Sequence, residues 1–264
     1  MKIEEKLILA IKASVKSGEI LIKNYSDEIN NQFKLKSKNN REIYTRVDLD
    51  SENEILKIFN KNNKDKINFL FEENGYIKNN NKKNSTWIVD ALDGTVNYIH
   101  KIPFFCSSIA LKENGILQFG VIFNPLTNEI YYSNPKSGVF KNAKKINIDN
   151  CPLSKSLIAI SLSSKINKKD QELKLFKKIN SLSQGALRTG SAAANLAYFA
   201  EGKISACLGF ENKIWDVAAG LAIAKKNSKK IYYKYKDKKK TMISFLVANK
   251  NNFDELFSLC KNVI

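Results

Sequence analysis

The chain has 264 residues, 43% hydrophobic and 27% charged, which allows a large buried core in one compact unit or two tightly joined halves and excludes a disordered chain. A single histidine, His100, and four scattered cysteines, Cys106, Cys151, Cys207 and Cys260, exclude a His-rich zinc site, a zinc ribbon and thioredoxin chemistry; the cysteines are expected to be reduced and mostly buried. The net charge of +18 admits a nucleic-acid partner, but most lysines are spread among Asn and Ile as on a solvated surface.

The N-terminus, Met1-Lys2-Ile3-Glu4-Glu5-Lys6, mixes acid and base where a signal peptide would carry an apolar core. No apolar run approaches the ~20 residues of a membrane helix, so a cytoplasmic protein without a membrane partner is expected. Residues 4–24 place Leu7, Ile8, Ala10, Ile11, Val15, Ile20 and Leu21 at amphipathic helical spacing. Residues 30–41 read as a polar loop. A second helix is predicted over 48–61, with Leu49, Ile55, Leu56, Ile58 and Phe59 inward and Asp48 or Asp50 in its first turn, where a carboxylate suits the helix dipole. Residues 67–71 form a short strand ending at Glu72-Glu73, and 78–86 a polar loop. Trp87-Ile88-Val89 is a strand running into Asp90, and Thr95 to His100 a short helical piece stopped before Pro103.

From 104 to 140 the pattern is β, with strands at 105–112, 115–123, 129–133 and 138–140 set apart by turn signals such as Glu113-Asn114-Gly115 and Asn124-Pro125. Residues 141–154 form a connecting region, dividing a half at 1–145 from one at 146–264. Further elements are a strand at 157–162, a helix at 169–179, a small-residue helix at 191–201 capped by Gly202, a strand at 204–208, an Ala-rich helix at 216–226, strands at 231–235 and 241–248, and a last helix at 253–260. The fold class is mixed α/β with several antiparallel strands. The lysines at 225, 226, 229, 230, 234, 236, 238, 239 and 240, interleaved with Tyr232, Tyr233 and Tyr235, fit a solvated helix end and hairpin, or a landing surface for a polyanion.

Acidic residues gather at predicted element ends. Asp90 ends a strand and Asp93 follows three residues later; Glu72 and Glu73 end another strand; Asp216 opens a helix. Carboxylates so placed can converge on one cleft with rigid elements behind them. Mg²⁺ takes hard oxygen ligands and usually binds through a few carboxylates plus substrate phosphate. Gly94-Thr95 adds a glycine leading into a helix start, where backbone N–H groups face an anion. Each signal also has a structural reading: Asp-x-x-Asp-Gly as an Asx turn, Glu-Glu as a solvated loop, Trp215-Asp216 as a helix N-cap.

Residues 87–100, Trp-Ile-Val-Asp-Ala-Leu-Asp-Gly-Thr-Val-Asn-Tyr-Ile-His, resemble the first signature of the inositol monophosphatase family. Trp215-Asp216-Val217-Ala218-Ala219-Gly220 resembles its second. Phe71-Glu72-Glu73, Tyr44-Thr45-Arg46-Val47-Asp48 and Arg188-Thr189-Gly190-Ser191-Ala192-Ala193 resemble three further elements, in the right order along nearly the whole chain. The resemblance implies a layered αβαβα sandwich shared with fructose-1,6-bisphosphatase and a lithium-sensitive hydrolysis of phosphomonoesters using two or three Mg²⁺ ions, usually in a homodimer. It assigns metal ligation to Glu72, Asp90, the Leu92 carbonyl, Asp93 and Asp216, with Asp90 bridging. Catalytic roles fall to Thr95, Asp48 and Glu72. Substrate contacts fall to Asp93, Gly94, Thr95, Ser191, Ala192 and Asp216.

Four positions depart from the family pattern. Ala91 replaces a proline, Phe71 a glycine and Glu42 an aspartate. Gly209 stands seven residues before Asp216, where members acting on inositol phosphate carry a glutamate that contacts sugar hydroxyls; Glu211 lies nearby out of register. The expected substrate is therefore a small inositol-1-phosphate-like or other sugar or polyol phosphate, with a nucleoside 3',5'-bisphosphate as the alternative and an RNA- or polymerase-associated role as a reading of another class. His100 is expected to pack or hydrogen-bond near the site, and Arg188 to order a loop or a dimer.

Overall fold

The computed structural model describes residues 1–26, 36–39, 42–79, 84–147, 150–163, 169–227 and 230–264. The helices are α1 (Ile3–Ser26), α2 (Arg46–Asn62), α3 (Thr95–Ile99), α4 (Lys169–Leu182), α5 (Ala192–Glu201), α6 (Ile214–Asn227) and α7 (Phe253–Cys260). A small hairpin joins β1 (Lys36–Asn39) to β2 (Glu42–Tyr44). An eight-stranded sheet contains β3 (Asn68–Phe71), β4 (Tyr76–Ile77), β5 (Ser85–Asp93), β6 (Cys106–Glu113), β7 (Ile116–Asn124), β8 (Glu129–Asn134), β9 (Gly138–Lys141) and β10 (Lys144–Lys145), in the order β10-β9-β8-β7-β6-β5-β3-β4. A five-stranded sheet contains β11 (Leu157–Ser161), β12 (Gly185–Leu187), β13 (Ala206–Lys213), β14 (Ile231–Tyr235) and β15 (Met242–Ala248), in the order β12-β11-β13-β15-β14.

The layering follows from side-chain alternation. Successive residues of a strand face opposite sides of the sheet. In β5, Trp87 and Val89 join the core beneath α1 and α2, while Ile88 faces the opposite core with α5 and α6. In β11, Ile158 and Ile160 face α4 and α7, while Ala159 faces α5 and α6. In β15, Phe245 and Val247 face the middle layer and Leu246 and Ala248 the outer one. Both sheets are covered on both faces, so their central strands read as continuous apolar runs. The order is α1/α2, eight-stranded sheet, α5/α6, five-stranded sheet, α4/α7: the expected αβαβα sandwich. The middle layer is thin because its helices are Ala-rich. At Gly120 of β7, a Cβ would stand 2.1 Å from the carbonyl oxygen of Ala219, so α6 rests with its backbone directly on the sheet.

Most predicted elements stand within one to three residues of their expected bounds. Three differ more. The loop expected at 30–41 contains β1, a strand of Lys, Ser and Asn held by backbone pairing to β2 with no apolar period to reveal it; 30–35, 40 and 41 lie outside the described residues. The strand expected at 87–89 is longer at both ends: β5 begins at Ser85, inside the loop expected at 78–86, and runs to Asp93, four residues past Val89; Ser85 donates its hydroxyl to Glu113, and 80–83 lie outside the described residues. Strand β13 continues past Leu208 to Lys213, through a bulge between Gly209 and Asn212 that hides its period. The short strands β4, β10 and β12 span only two or three residues and leave no period to read. Among the described residues the four cysteines are unpaired, Cys106, Cys207 and Cys260 being buried. No helix among them is long and apolar enough to cross a membrane.

Candidate active site

Three carboxylates from three elements meet at one point. Glu72 follows the last residue of β3, Asp90 lies inside β5, and Asp216 occupies the first turn of α6; each offers an oxygen within 4.8 Å of the others. Asp90 is buried, and Glu72 and Asp216 are half-buried. Burial raises all three far above the ordinary carboxylate range. The neighbouring charges add to it: Asp216, Glu73, Asp48 and Asp93 act on Glu72; Glu72, Asp93 and Asp216 act on Asp90; Asp93 acts on Asp216. For Asp216 the backbone N–H and the ammonium group of Lys213 work the other way.

Asp90 keeps its place through a local turn, Oδ1 accepting the Leu92 N–H at 2.9 Å. The Asx-turn reading of this segment is thus correct as local geometry, and it coexists with the cluster. The β5–β6 ladder is irregular between Asp90 and Asp93, which turns Asp93, the last residue of β5, toward α5. There its Oδ2 accepts the Ser191 hydroxyl and the Ala193 N–H, both at 2.6 Å. Burial lifts Asp93 to about 6 against these bonds and against the N–H groups of Ala192 and Ala194 at the same helix start. Asp93 therefore lies beside the three-carboxylate cluster, with one oxygen committed to α5. Ser191 and Ala192 stand at that helix start and face Asp93.

Asp48 and Thr95 form the second half of the site. Thr45 caps α2, and Asp48 closes a capping box, its Oδ2 accepting the Thr45 N–H at 2.7 Å and the Thr45 hydroxyl at 2.5 Å. The other oxygen of Asp48 faces the Thr95 hydroxyl at 3.1 Å. Thr95 Oγ1 is also 3.1 Å from the Leu92 carbonyl. Burial raises Asp48 to about 6, opposed by its Thr45 and Thr95 bonds. Gly94 holds φ at +99°, and a Cβ there would meet the Phe104 carbonyl at 3.0 Å, so glycine is required at the start of α3.

Two positioning groups carried no functional reading from the sequence. Glu52 is buried on α2, one turn beyond Asp48, and binds the loop after Glu72: Oε1 accepts the Glu73 N–H, and Oε2 the Asn74 N–H, each at 2.9 Å. The signal was present, because 48, 52, 55 and 59 form one helical stripe with two acids on its apolar side. Asn97 donates to the carbonyls of Phe104 at 2.7 Å and Thr189 at 2.9 Å, tying α3 to the turn before α5. His100, by contrast, is exposed, and its backbone N–H caps α3; the expected side-chain packing role does not hold, because the helix ends at the surface. Arg188 is likewise exposed.

Gly209 has no space for a side chain. A Cβ there would stand 2.1 Å from Asn212 Oδ1 and 2.2 Å from Phe245 Cε1. The adjoining bulge leaves Glu211 half-buried with φ at +53°.

The sequence profile described as the inositol monophosphatase family matches residues 2–227. A Nus factor SuhB from Pasteurella multocida is 31% identical over 219 residues, 81% of this chain and 79% of that protein. An inositol-1-monophosphatase from Mesorhizobium japonicum is 30% identical over 220 residues, 82% of this chain and 81% of that protein. Among solved structures, the extragenic suppressor protein suhB from Bartonella henselae superposes with a TM-score of 0.87 at 28% identity, covering 98% of this chain and all of that one. An inositol monophosphatase from Anabaena gives 0.81 at 26% identity, covering 100% and 98%.

The clustered carboxyls set a pH dependence. Asp48 and Asp93, near 6, and Glu52, near 7, hold their protons to higher pH when folded than when unfolded. Their contribution to stability is complete below about pH 4 and is lost as pH rises through 6 to 7. Asp90, shifted the same way, is the buried centre of the cluster. In metal-free buffer Asp90→Asn should therefore melt higher than the wild type at pH 7.5, by about a few degrees. The gap should close near pH 4. Thermal scans across pH check this; equal melting at pH 7.5 contradicts it.

Proposed function

We propose, from the premise that the chain belongs to the inositol monophosphatase family and is a phosphoric monoester hydrolase of that type, that it is a Mg²⁺-dependent phosphatase of small sugar or polyol phosphates. The observation that carries this reading is the convergence of Glu72, Asp90 and Asp216 within 4.8 Å. Three carboxylates so close, each with its acidity suppressed by burial and by the others, fit a hard divalent cation, which relieves both costs. Glu72, Asp90 and Asp216 would hold it, with Asp93 and the Leu92 carbonyl as adjoining ligands of a second or third ion. When bound, such ions supply positive charge that offsets the phosphate oxygens and favours attack by water.

The protein's own groups then divide the work. Asp48, with both oxygens bonded, fixes Thr95. The Thr95 hydroxyl has one proton and two acceptors, Asp48 Oδ1 and the Leu92 carbonyl, both at 3.1 Å. When it donates to Asp48 Oδ1, its oxygen can take a proton from the attacking water as its own proton passes to that carboxylate, so Asp48 is where the proton ends. The N–H groups of Gly94 and Thr95 would receive the phosphate. Asp93, Ser191, Ala192 and Asp216 would face the remainder of the substrate. Because Gly209 has no room for a carboxylate, inositol hydroxyls lose a partner there, and the substrate class is read more broadly than inositol-1-phosphate. The family resemblance supports a cytoplasmic homodimer sensitive to lithium. It also supports two halves, 1–145 and 146–264, completing one site.

Phosphate release from inositol-1-phosphate or a related polyol phosphate should require Mg²⁺, and Thr95→Ala should lower kcat by about 10²–10⁴-fold, the usual contribution of a proton acceptor. Release unaffected by Mg²⁺ removal or by Thr95→Ala contradicts the mechanism. Faster turnover of adenosine 3',5'-bisphosphate than of any polyol phosphate would move the assignment to a nucleotidase.

A second reading concerns the surface of the β14–β15 hairpin, which lies beyond the residues matched by the family profile. Lys234, Lys238 and Lys239 are exposed there without an acidic partner among the described residues, and the rings of Tyr233 and Tyr235 are paired at 5.9 Å. Lys240 lies 5.7 Å from the Tyr235 ring. Lysines beside the exposed ring of Tyr233 and the half-buried ring of Tyr235 suit single-stranded nucleic acid as an additional partner. Four phosphate contacts would weaken binding of an RNA oligonucleotide by about 50-fold between 50 and 200 mM salt. Weak binding at low salt removes this reading.

A further inference from the structure

We infer that Glu52 is a positioning residue that holds Glu72 in the metal cluster by clamping the hairpin loop on which Glu72 sits. The inference rests on the reading of Glu72 as a metal ligand. Glu52 is 1% exposed, and among the described residues its partners are N–H groups rather than a cation. Oε1 accepts the Glu73 N–H at 2.9 Å. Oε2 accepts the Asn74 N–H at 2.9 Å and the Asn74 side-chain amide at 2.8 Å. These donors belong to the two residues after Glu72, and the loop is closed beyond them by the Phe71 N–H to the Gly75 carbonyl at 3.0 Å.

A buried carboxylate is a costly way to close a four-residue turn. An apolar residue would suit the α2 stripe, which continues through Ile55 and Phe59. The carboxylate has a use that an apolar residue lacks. The charges of Asp216, Glu73, Asp48 and Asp93 all act against an ionised Glu72, so an unrestrained loop would swing it away from Asp90. Two backbone N–H groups bound to one rigid helix fix the backbone on the C-terminal side of Glu72, and β3 fixes the N-terminal side. The same α2 face thus holds two parts of the site: Asp48 sets Thr95, and Glu52 sets Glu72.

Glu52→Gln tests this. A glutamine oxygen accepts from one N–H group while its own NH₂ opposes the other. The Mg²⁺ concentration for half-maximal phosphate release should rise about 10–100-fold, the range for lost support behind a metal ligand. The rise in melting temperature produced by Mg²⁺ alone should move to the same higher concentrations. KM at saturating Mg²⁺ should stay within about two-fold, because the outer-shell loss weakens metal rather than substrate binding. Glu52→Asp, with both acceptors but a shorter reach, should lie between, and Asn74→Ala, losing only the side-chain bond, should resemble the wild type. A glutamine variant with unchanged Mg²⁺ dependence in both readouts overturns the clamp, whether or not its stability falls. If that variant does not fold, an unchanged Mg²⁺ dependence of Glu52→Asp overturns it. A wild type indifferent to Mg²⁺ in both readouts overturns the metal reading, and the clamp with it.

Discussion

Mutual repulsion among buried carboxylates is the constraint around which this molecule is built. Glu72, Asp90 and Asp216 come from a hairpin loop, a central strand and a helix start, and each would ionise more easily apart from the others. The fold holds them together with elements that cannot relax. Strand β5 is hydrogen-bonded on both edges, by β3 and β6. Helix α6 lies against β7 without a side chain between. The loop bearing Glu72 is tied to α2.

Helices α2, α3, α5 and α6 meet the site with their first turns. The start of α2 supplies Asp48, the start of α3 Thr95, the start of α5 receives Asp93, and the start of α6 supplies Asp216. A helix N-terminus carries partial positive charge and unpaired N–H groups, so four of them aimed at one acidic cleft offset part of its charge. The β5 irregularity between Asp90 and Asp93 lets neighbouring acids serve different partners: Asp90 the cluster, Asp93 the α5 terminus.

Much of this was legible in the sequence for a physical reason. Strands such as Trp87–Val89 and helices such as α1 and α2 bury a face, and burial imposes a period. The acids at their ends then stood out because charge rarely follows directly on a buried apolar run. What escaped notice had no period or depended on distant partners. Strand β1 is polar on both sides and survives through backbone pairing. Glu52 reads as an ordinary helix acid until its partners, twenty-one and twenty-two residues away, are known. The absence of space at Gly209 depends on Phe245 from β15. His100 was expected to pack or hydrogen-bond near the site, and it stands exposed at the end of α3.

Gly209, at the β13 bulge, stands where the resemblance led to the expectation of a glutamate, while Glu72, Asp90 and Asp216 still converge. The claim on which everything rests is that the cluster is a cation cage rather than a set of shared protons. Anomalous diffraction from crystals soaked in Mn²⁺, a close substitute for Mg²⁺ at oxygen ligands, tests it most directly. The account predicts a strong anomalous peak among the carboxylate oxygens of Glu72, Asp90 and Asp216. An empty cluster at saturating Mn²⁺, with the three carboxylates hydrogen-bonded to one another, would contradict it.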